Sequence, residues 1–393
     1  MESNAEHSAP DSRQPTLLCF SHLRWDFVFQ RPQQLMSRFA EDMTVIYWEE
    51  PVEIGRKETA HLKVRAAENF PNVRIVVPHL PAGLDEDRRD AALQRLLEAY
   101  SAGLSRPMIA WYYTPMMLPF SRDLDASVVV FDAMDELSKF KNAPVRLLDL
   151  ERELIDRADL VFTGGSSLYE AKRDRHDSVH LFPSSVDRNH FARARKVRNE
   201  PEDQANLPQP RLGFYGVIDE RFDIELLERI AEMRPDWQFV MVGPVVKIAD
   251  EDLPRRANIH YLGNKKYEQL PAYLSGWDVA LMPFAMNEST QFISPTKTPE
   301  YLSGGKPVVS TPVKDVVRHY GHLEGVEIAS TAEEFVEACE RLLKLDPEGD
   351  WLAEADLMLS ATSWSTTQAR MAGLIAEALG ERTHSSAILV AAE

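Results

Sequence analysis

At 393 residues, 44% hydrophobic and 27% charged, the chain has the composition of a globular protein and more length than one ordinary core needs, so two domains are expected. A formal net charge of −18 excludes nucleic acid as a general partner, because a phosphate backbone requires a basic footprint. No apolar run approaches bilayer-spanning length, and the polar start "MESNAEHSAPDSRQP" has no apolar h-region. The expected location is cytoplasmic, with peripheral contact to the inner membrane face as an additional expectation. Cys19 and Cys339 fall in separate apolar segments and read as two buried free thiols, which fits the same compartment.

Residues 1–15 read as a flexible lead-in. Short apolar runs follow at 16–22 (TLLCFSH), 43–50, 73–80, 107–113, 127–135, 159–165 and 179–187. They are rich in Val, Ile, Phe and Tyr without strict alternation, the pattern of parallel strands buried on both faces. Helical patterns lie between most of them. "RPQQLMSRFAED" follows the first run, "EDRRDAALQRLLEAYSAG" precedes the fourth, and "APVRLLDLERELIDRA" places Val145, Leu148 and Leu154–Ile155 on one stripe.

A charged, Pro-containing stretch at 193–211 without apolar periodicity reads as an interdomain linker. The same grammar then restarts: runs at 211–219, 237–244, 258–263, 279–284 and 326–330, with helices over 222–233, 267–277 and 331–345, the last capped by Thr331. "SPTKTPEYLSGGKPVVST", 294–311, lies between "VALMPF" and the strand "PVVST". The final helix, 364–379, has no strand after it, and residues 381–393 read as a flexible tail. The predicted fold class is α/β: two doubly wound domains, 16–195 and 208–360, facing a cleft. Ligands of such sheets bind outside the carboxyl ends of the strands.

The segments "GFYGVID", "FVMVGP", "NIHYLG", "LPAYLSGWDVALMPF" and "SPTKTPEYLSGGKPVVST", with "SHLRWDFVFQRPQQLMSRFA", "YYTP" and "FDAMDELSKF" before them, resemble GT-B glycosyltransferases of the retaining, family-4 type. They are similar to a bacterial subgroup of surface-polysaccharide, teichuronic-acid-type transferases, over about residues 16 to 380. The resemblance implies a nucleotide-sugar donor held by the second domain, and a final helix, 364–380, crossing back onto the first. Glu300 matches the glutamate that bonds the two ribose hydroxyls, since a carboxylate offers two oxygens to two vicinal donors. Ser294, Thr296 and Thr298 precede or open that helix and present backbone N–H groups to the diphosphate. Lys297 adds a full charge there. Gly216 and Gly243 end strands of the kind that line the nucleotide in the family, and Phe284 and the "NIHYLG" turn at Gly263 border the base.

The chain departs from the family pattern at two places. Phe292 stands where a second glutamate is common, with Glu288 nearby but out of register, and the usual Arg/Lys pair is reduced to Arg221. Lys297, Arg221 and Asp135 are therefore the catalytic candidates. On the acceptor side, His22, Arg24, Trp25, Asp26 and Arg31 give the first βα loop unusual polar density. There, acceptor contact competes with a stapled, solvated loop. Asp132, Asp135 and Glu136 either orient a sugar hydroxyl or cap the next helix. "DLD" at 123–125 reads as a surface loop, and neither metal nor cofactor is expected; the nucleotide sugar is a co-substrate. The basic runs 169–176 and 190–198 read as solvated faces, with an anionic membrane carrying a lipid-linked acceptor as the other reading. Three competing functions remain: a nucleotide-sugar epimerase, a non-catalytic binding scaffold, and a dehydrogenase, the last lacking any glycine-rich phosphate turn.

Overall fold

The computed structural model describes residues 14–390. Two sheets organise the chain. The first runs in the order Val52–Ile54, Phe70–Pro81, Thr44–Glu49, Thr16–Ser21, Met108–Tyr112, Val128–Ala133, Leu160–Thr163, Val179–Leu181. The second runs Ile259–Gly263, Gln238–Val242, Arg211–Tyr215, Val279–Met282, Val308–Ser310, Val326–Ile328. All pairings in the second are parallel, and its order is the doubly wound 3-2-1-4-5-6. Each chain order reverses beside the domain's first strand, which opens a crevice there. The first sheet also has two strands that the apolar pattern did not flag, the three-residue Val52–Ile54 and an edge strand. His61–Ala67, mostly exposed and alternating with Lys and Arg, pairs antiparallel with Phe70–Pro81 at the edge.

The helices bury one stripe against these sheets. Ala332–Leu342 starts at a reciprocal cap: the Glu334 N–H donates to Thr331 Oγ1 at 3.2 Å, and the Thr331 N–H donates to the Glu334 carboxylate at 3.3 Å. It then buries Phe335, Val336, Cys339 and Leu342. Cys19 is likewise a buried free thiol. The final helix extends from Trp364 to Val390, so residues 381–390 continue a helix instead of forming a loose tail. Trp364, Met371 and Ile375 enter the core of the first sheet, alongside Leu17, Leu35 and Trp111. Residues 1–13 of the expected lead-in lie outside the described residues.

Two expectations are corrected here. The helix expected over 143–158 begins only at Leu147, because Pro144 and Val145 remain in the preceding loop. Val145 is 97% exposed and Leu148 56%, while the buried stripe is Leu147, Leu150, Leu154 and Ile155. The 193–211 stretch is not a loose tether. Arg195 makes paired contacts of 2.8 Å to Asp356, and the Gln204 amide accepts from Trp277 Nε1 at 2.9 Å and donates to the Tyr273 carbonyl at 2.9 Å. Its charge and prolines concealed a segment fixed by polar contacts to the second domain.

Candidate active site

A cleft of about 1160 Å³, its open mouth included, lies between the domains and is lined from both. Its second-domain wall is built where strands stop. Arg211–Tyr215 ends at Gly216 (φ +146°) and Gln238–Val242 at Gly243 (φ +143°). The Gly216 N–H donates to the Val242 carbonyl at 2.9 Å and the Gly243 N–H to the Gly263 carbonyl at 2.9 Å, so adjacent strand ends continue as one wall. A Cβ on Gly243 would overlap the Gly216 carbonyl, and a Cβ on Gly216 would run into the Lys297 chain. Both positions demand glycine by φ and by space. Gly243→Ala is expected to cost about 1–3 kcal/mol in a denaturant titration, and more nucleotide affinity than that loss alone predicts. Gly263 (φ +69°) ends the strand Ile259–Gly263 and does not itself line the cleft; Asn264 and Lys265 beside it do.

The short helix Lys297–Ser303 follows the Ser294–Pro295–Thr296 turn. Lys297 and Glu300 share its cleft-facing side, and Ser294 and Thr296 line the cleft below them. Burial pushes the Glu300 carboxyl up to about 7, against the pull of the Lys297 ammonium. Burial lowers Lys297 in turn, opposed by Glu300. Tyr215, at the end of its strand, brings a buried hydroxyl to Glu300 at the cleft, where it pulls the carboxyl down against burial. Thr298 is different: it is fully buried, and its hydroxyl donates to the Met282 sulfur at 2.9 Å. It packs the helix and does not line the cleft. Phe284 borders the cleft edge-on to Phe214 at 6.3 Å.

Arg221 also reaches the cleft, but Asp219 holds it. Nε donates to Oδ1 at 3.0 Å and a terminal nitrogen to Oδ2 at 2.7 Å. Part of its charge is cancelled in place, which leaves Lys297 the stronger cation of the wall. Asp135 faces both from the first domain, and burial raises its carboxyl above the usual range.

The acceptor-side candidates divide. Arg31 lines the cleft yet is fully engaged: Nε and a terminal nitrogen clamp Asp132 at 3.0 and 2.8 Å, and the other terminal nitrogen donates to the Phe182 carbonyl at 2.8 Å. Arg31 and Asp132 form a buried strut under the cleft, so neither is free for a sugar. Trp25 is buried against Tyr47 and Phe70 at 5.0 and 5.9 Å and staples its loop to the core. Arg24 pairs with Glu49 at 2.9 Å and Asp26 with Arg65 on the surface. Burial, with Lys247 nearby, drives the His22 imidazole down to about 4. None of His22, Arg24, Trp25 and Asp26 is in the cleft wall; the same loop contributes Val28, Phe29 and Gln30 instead. Glu136 is tied to buried Lys172 at 2.9 Å, and Lys172 also meets Glu151 at 3.0 Å. Asp125 of the 123–125 loop pairs with Arg106 at 3.2 Å.

Tyr267 is a residue that sequence reasoning missed. Its ring lies 4.9 Å from Phe29 and 4.1 Å from His190, and its hydroxyl accepts from the Gln34 amide at 3.0 Å. It joins the two domains at the cleft, and the only hint in the sequence was an aromatic in the polar "NKKYEQ".

Residues 209–345 match the family model described as Glycosyl transferases group 1. Over 260 residues the chain is 25% identical to TuaH of Bacillus subtilis (strain 168), described as a teichuronic acid biosynthesis glycosyltransferase. That match covers 59% of this chain and 63% of TuaH, so it spans less than two thirds of the relative. Among solved structures, sucrose-phosphate synthase from Thermosynechococcus elongatus superposes with a TM-score of 0.71 at 18% identity, over 94% of this chain and 100% of that one. Anabaena Alr3699/HepE in complex with UDP and glucose gives 0.62 at 12% identity, over 92% and 99%. The fold is therefore that of the GT-B glycosyltransferases, and the glycosyl transferases group 1 model accounts for residues 209–345 of its second domain.

Proposed function

We propose that the chain is a glycosyltransferase. It moves a sugar from a nucleotide diphospho-sugar to a sugar or lipid-linked acceptor in cell-surface or exopolysaccharide assembly, on the cytoplasmic side. The observation that carries the reading is the pairing of Lys297 and Glu300 on one helical face of the interdomain cleft, beside a wall opened by Gly216 and Gly243. Glu300 bonds the ribose hydroxyls, and Lys297 meets the diphosphate with help from Arg221. The relative in teichuronic acid biosynthesis supports the polysaccharide setting, and the UDP held by the Anabaena neighbour makes UDP-sugars the first donors to try. Membrane contact draws little support from the basic runs, since Lys172, Arg175 and Arg195 are engaged in internal ion pairs.

In the reaction the anomeric C–O bond breaks and its electron pair goes to the leaving phosphate oxygen. Lys297 stabilises that charge as it develops, without a metal in the step. The acceptor hydroxyl attacks from the same face, and its proton passes to the leaving phosphate, which gives retention and a free nucleoside diphosphate. Incubating UDP-, GDP- and ADP-sugars with and without acceptor glycans tests this. A new α-linked product formed only with acceptor is expected. Donor isomerised without acceptor would make the protein an epimerase, and binding with no product would make it a scaffold.

The raised Glu300 carboxyl gives a pH signature. Its ordinary value is 4.5 and the folded one about 7, so folding favours the protonated form. Stability from this group is then present below pH 4.5 and declines as pH rises to 7. Ribose binding needs the ionised form, so affinity runs the other way. Glu300→Gln is expected to be more stable than wild type above pH 7, on the order of 2 kcal/mol. Its nucleotide affinity should stay weak and lack the wild type's additional gain between pH 6 and 8.

A further inference from the structure

The domains meet at a second place besides Tyr267. Asp315, 1% exposed, lies in the first turn of the second-domain helix Lys314–Tyr320. Its carboxylate is occupied entirely by the first domain. Oδ2 accepts from the Ser166 N–H at 2.8 Å; Oδ1 accepts from the Ser167 N–H at 3.1 Å and the Ser167 hydroxyl at 2.6 Å. The Ser166 hydroxyl lies 2.9 Å from His319 Nε2, and Arg318 pairs with Glu170 at 2.8 Å. Gly165 precedes these serines. Its backbone is extended (φ −168°), so conformation admits any residue there, but space does not. A Cβ on Gly165 would overlap Asp315 Oδ2 and sit 2.6 Å from Ser294 Cβ. Nearby, the Ser184 hydroxyl donates to the Ser294 carbonyl at 2.6 Å. Ser294 opens the turn that carries Lys297 and Glu300.

We propose that Asp315 and Gly165 are the closing latch of the cleft, positioning residues that seat the 294–300 segment against the first domain. The contact is polar throughout. When the domains part here, the carboxylate and both N–H groups regain water, so breaking the latch itself exposes no large apolar surface and the latch is reversible. When they close, the loss of any one partner strands the others in a buried interface. The closed state alone is penalised, because these bonds hold no part of either domain's own core. The consequence for turnover rests on the donor reading given above; the latch itself does not.

The test is Gly165→Ala, with Asp315→Asn as the second variant, read by small-angle X-ray scattering without nucleotide and by steady-state kinetics with nucleotide calorimetry. The expected result for Gly165→Ala is a larger radius of gyration than wild type and a fall in kcat of at least about tenfold. The nucleotide dissociation constant should stay within about twofold, since the donor contacts lie mainly in the second domain. Asp315→Asn keeps one carbonyl acceptor and should fall between the two, and it carries the same readouts if Gly165→Ala does not fold. A wild-type radius and kcat in the variant would overturn the latch. So would a loss of kcat matched by equal losses of nucleotide affinity and thermal stability. If wild type itself binds no nucleotide, the donor reading fails and scattering still decides the latch.

Discussion

Lys297→Ala is expected to lower kcat by about 10²–10³-fold, the cost of removing one preorganised group at a developing oxyanion. The effect should be large because of what surrounds the ammonium. Its chain crosses Gly216, so it has one path to the cleft. Glu300, Asp219 and Asp135 favour its charged form against burial. Arg221 cannot substitute, since Asp219 already takes two of its donors. Lys297→Arg should rescue poorly, because the planar guanidinium needs room that the Gly216 wall does not offer. Initial rates at saturating donor check this; an unchanged kcat with raised KM would reassign Lys297 to ground-state binding.

Arg31→Ala carries the largest expected loss of stability, about 3–5 kcal/mol. Asp132 is fully buried, and burial raises its carboxyl while Arg31 holds it down. Removing the arginine strands that carboxylate and the Phe182 carbonyl together. Replacing both members with apolar residues, Arg31→Met with Asp132→Leu, should cost much less, because no charge is then left unpaired. Urea midpoints at neutral pH separate the two. The pair ties the start of the first helix to the end of the Val128–Ala133 strand, so the loop 28–31 should lose its shape as well.

Much of the architecture was legible because buried parallel strands leave an unmistakable apolar run, and thirteen of the fifteen strands among the described residues repeat it. The edge strand His61–Ala67 escaped because one-sided exposure and alternating charge look like a loop. Gly216, Gly243, Lys297, Glu300 and Phe284 could be placed at the cleft because each sits at a strand end or the helix beside one. The loop 22–31 could not be partitioned. Polar density signalled a site, but which side chains turn inward depends on contacts far along the chain: Glu49 for Arg24, Tyr47 and Phe70 for Trp25, Asp132 for Arg31. The domain contacts at Tyr267 and Asp315 were invisible for the same reason, since each pairs residues with no local relation in sequence.

The most direct measurement is calorimetric binding of UDP, GDP and ADP to wild type and to Glu300→Ala at pH 8. One nucleotide should bind selectively, and the mutant should lose about 10–100-fold in affinity, the worth of hydrogen bonds to a charged acceptor. Binding that ignores Glu300, or no binding by any of the three, would contradict the donor site and leave the charges at 297 and 300 as a helix face beside an unrelated cleft.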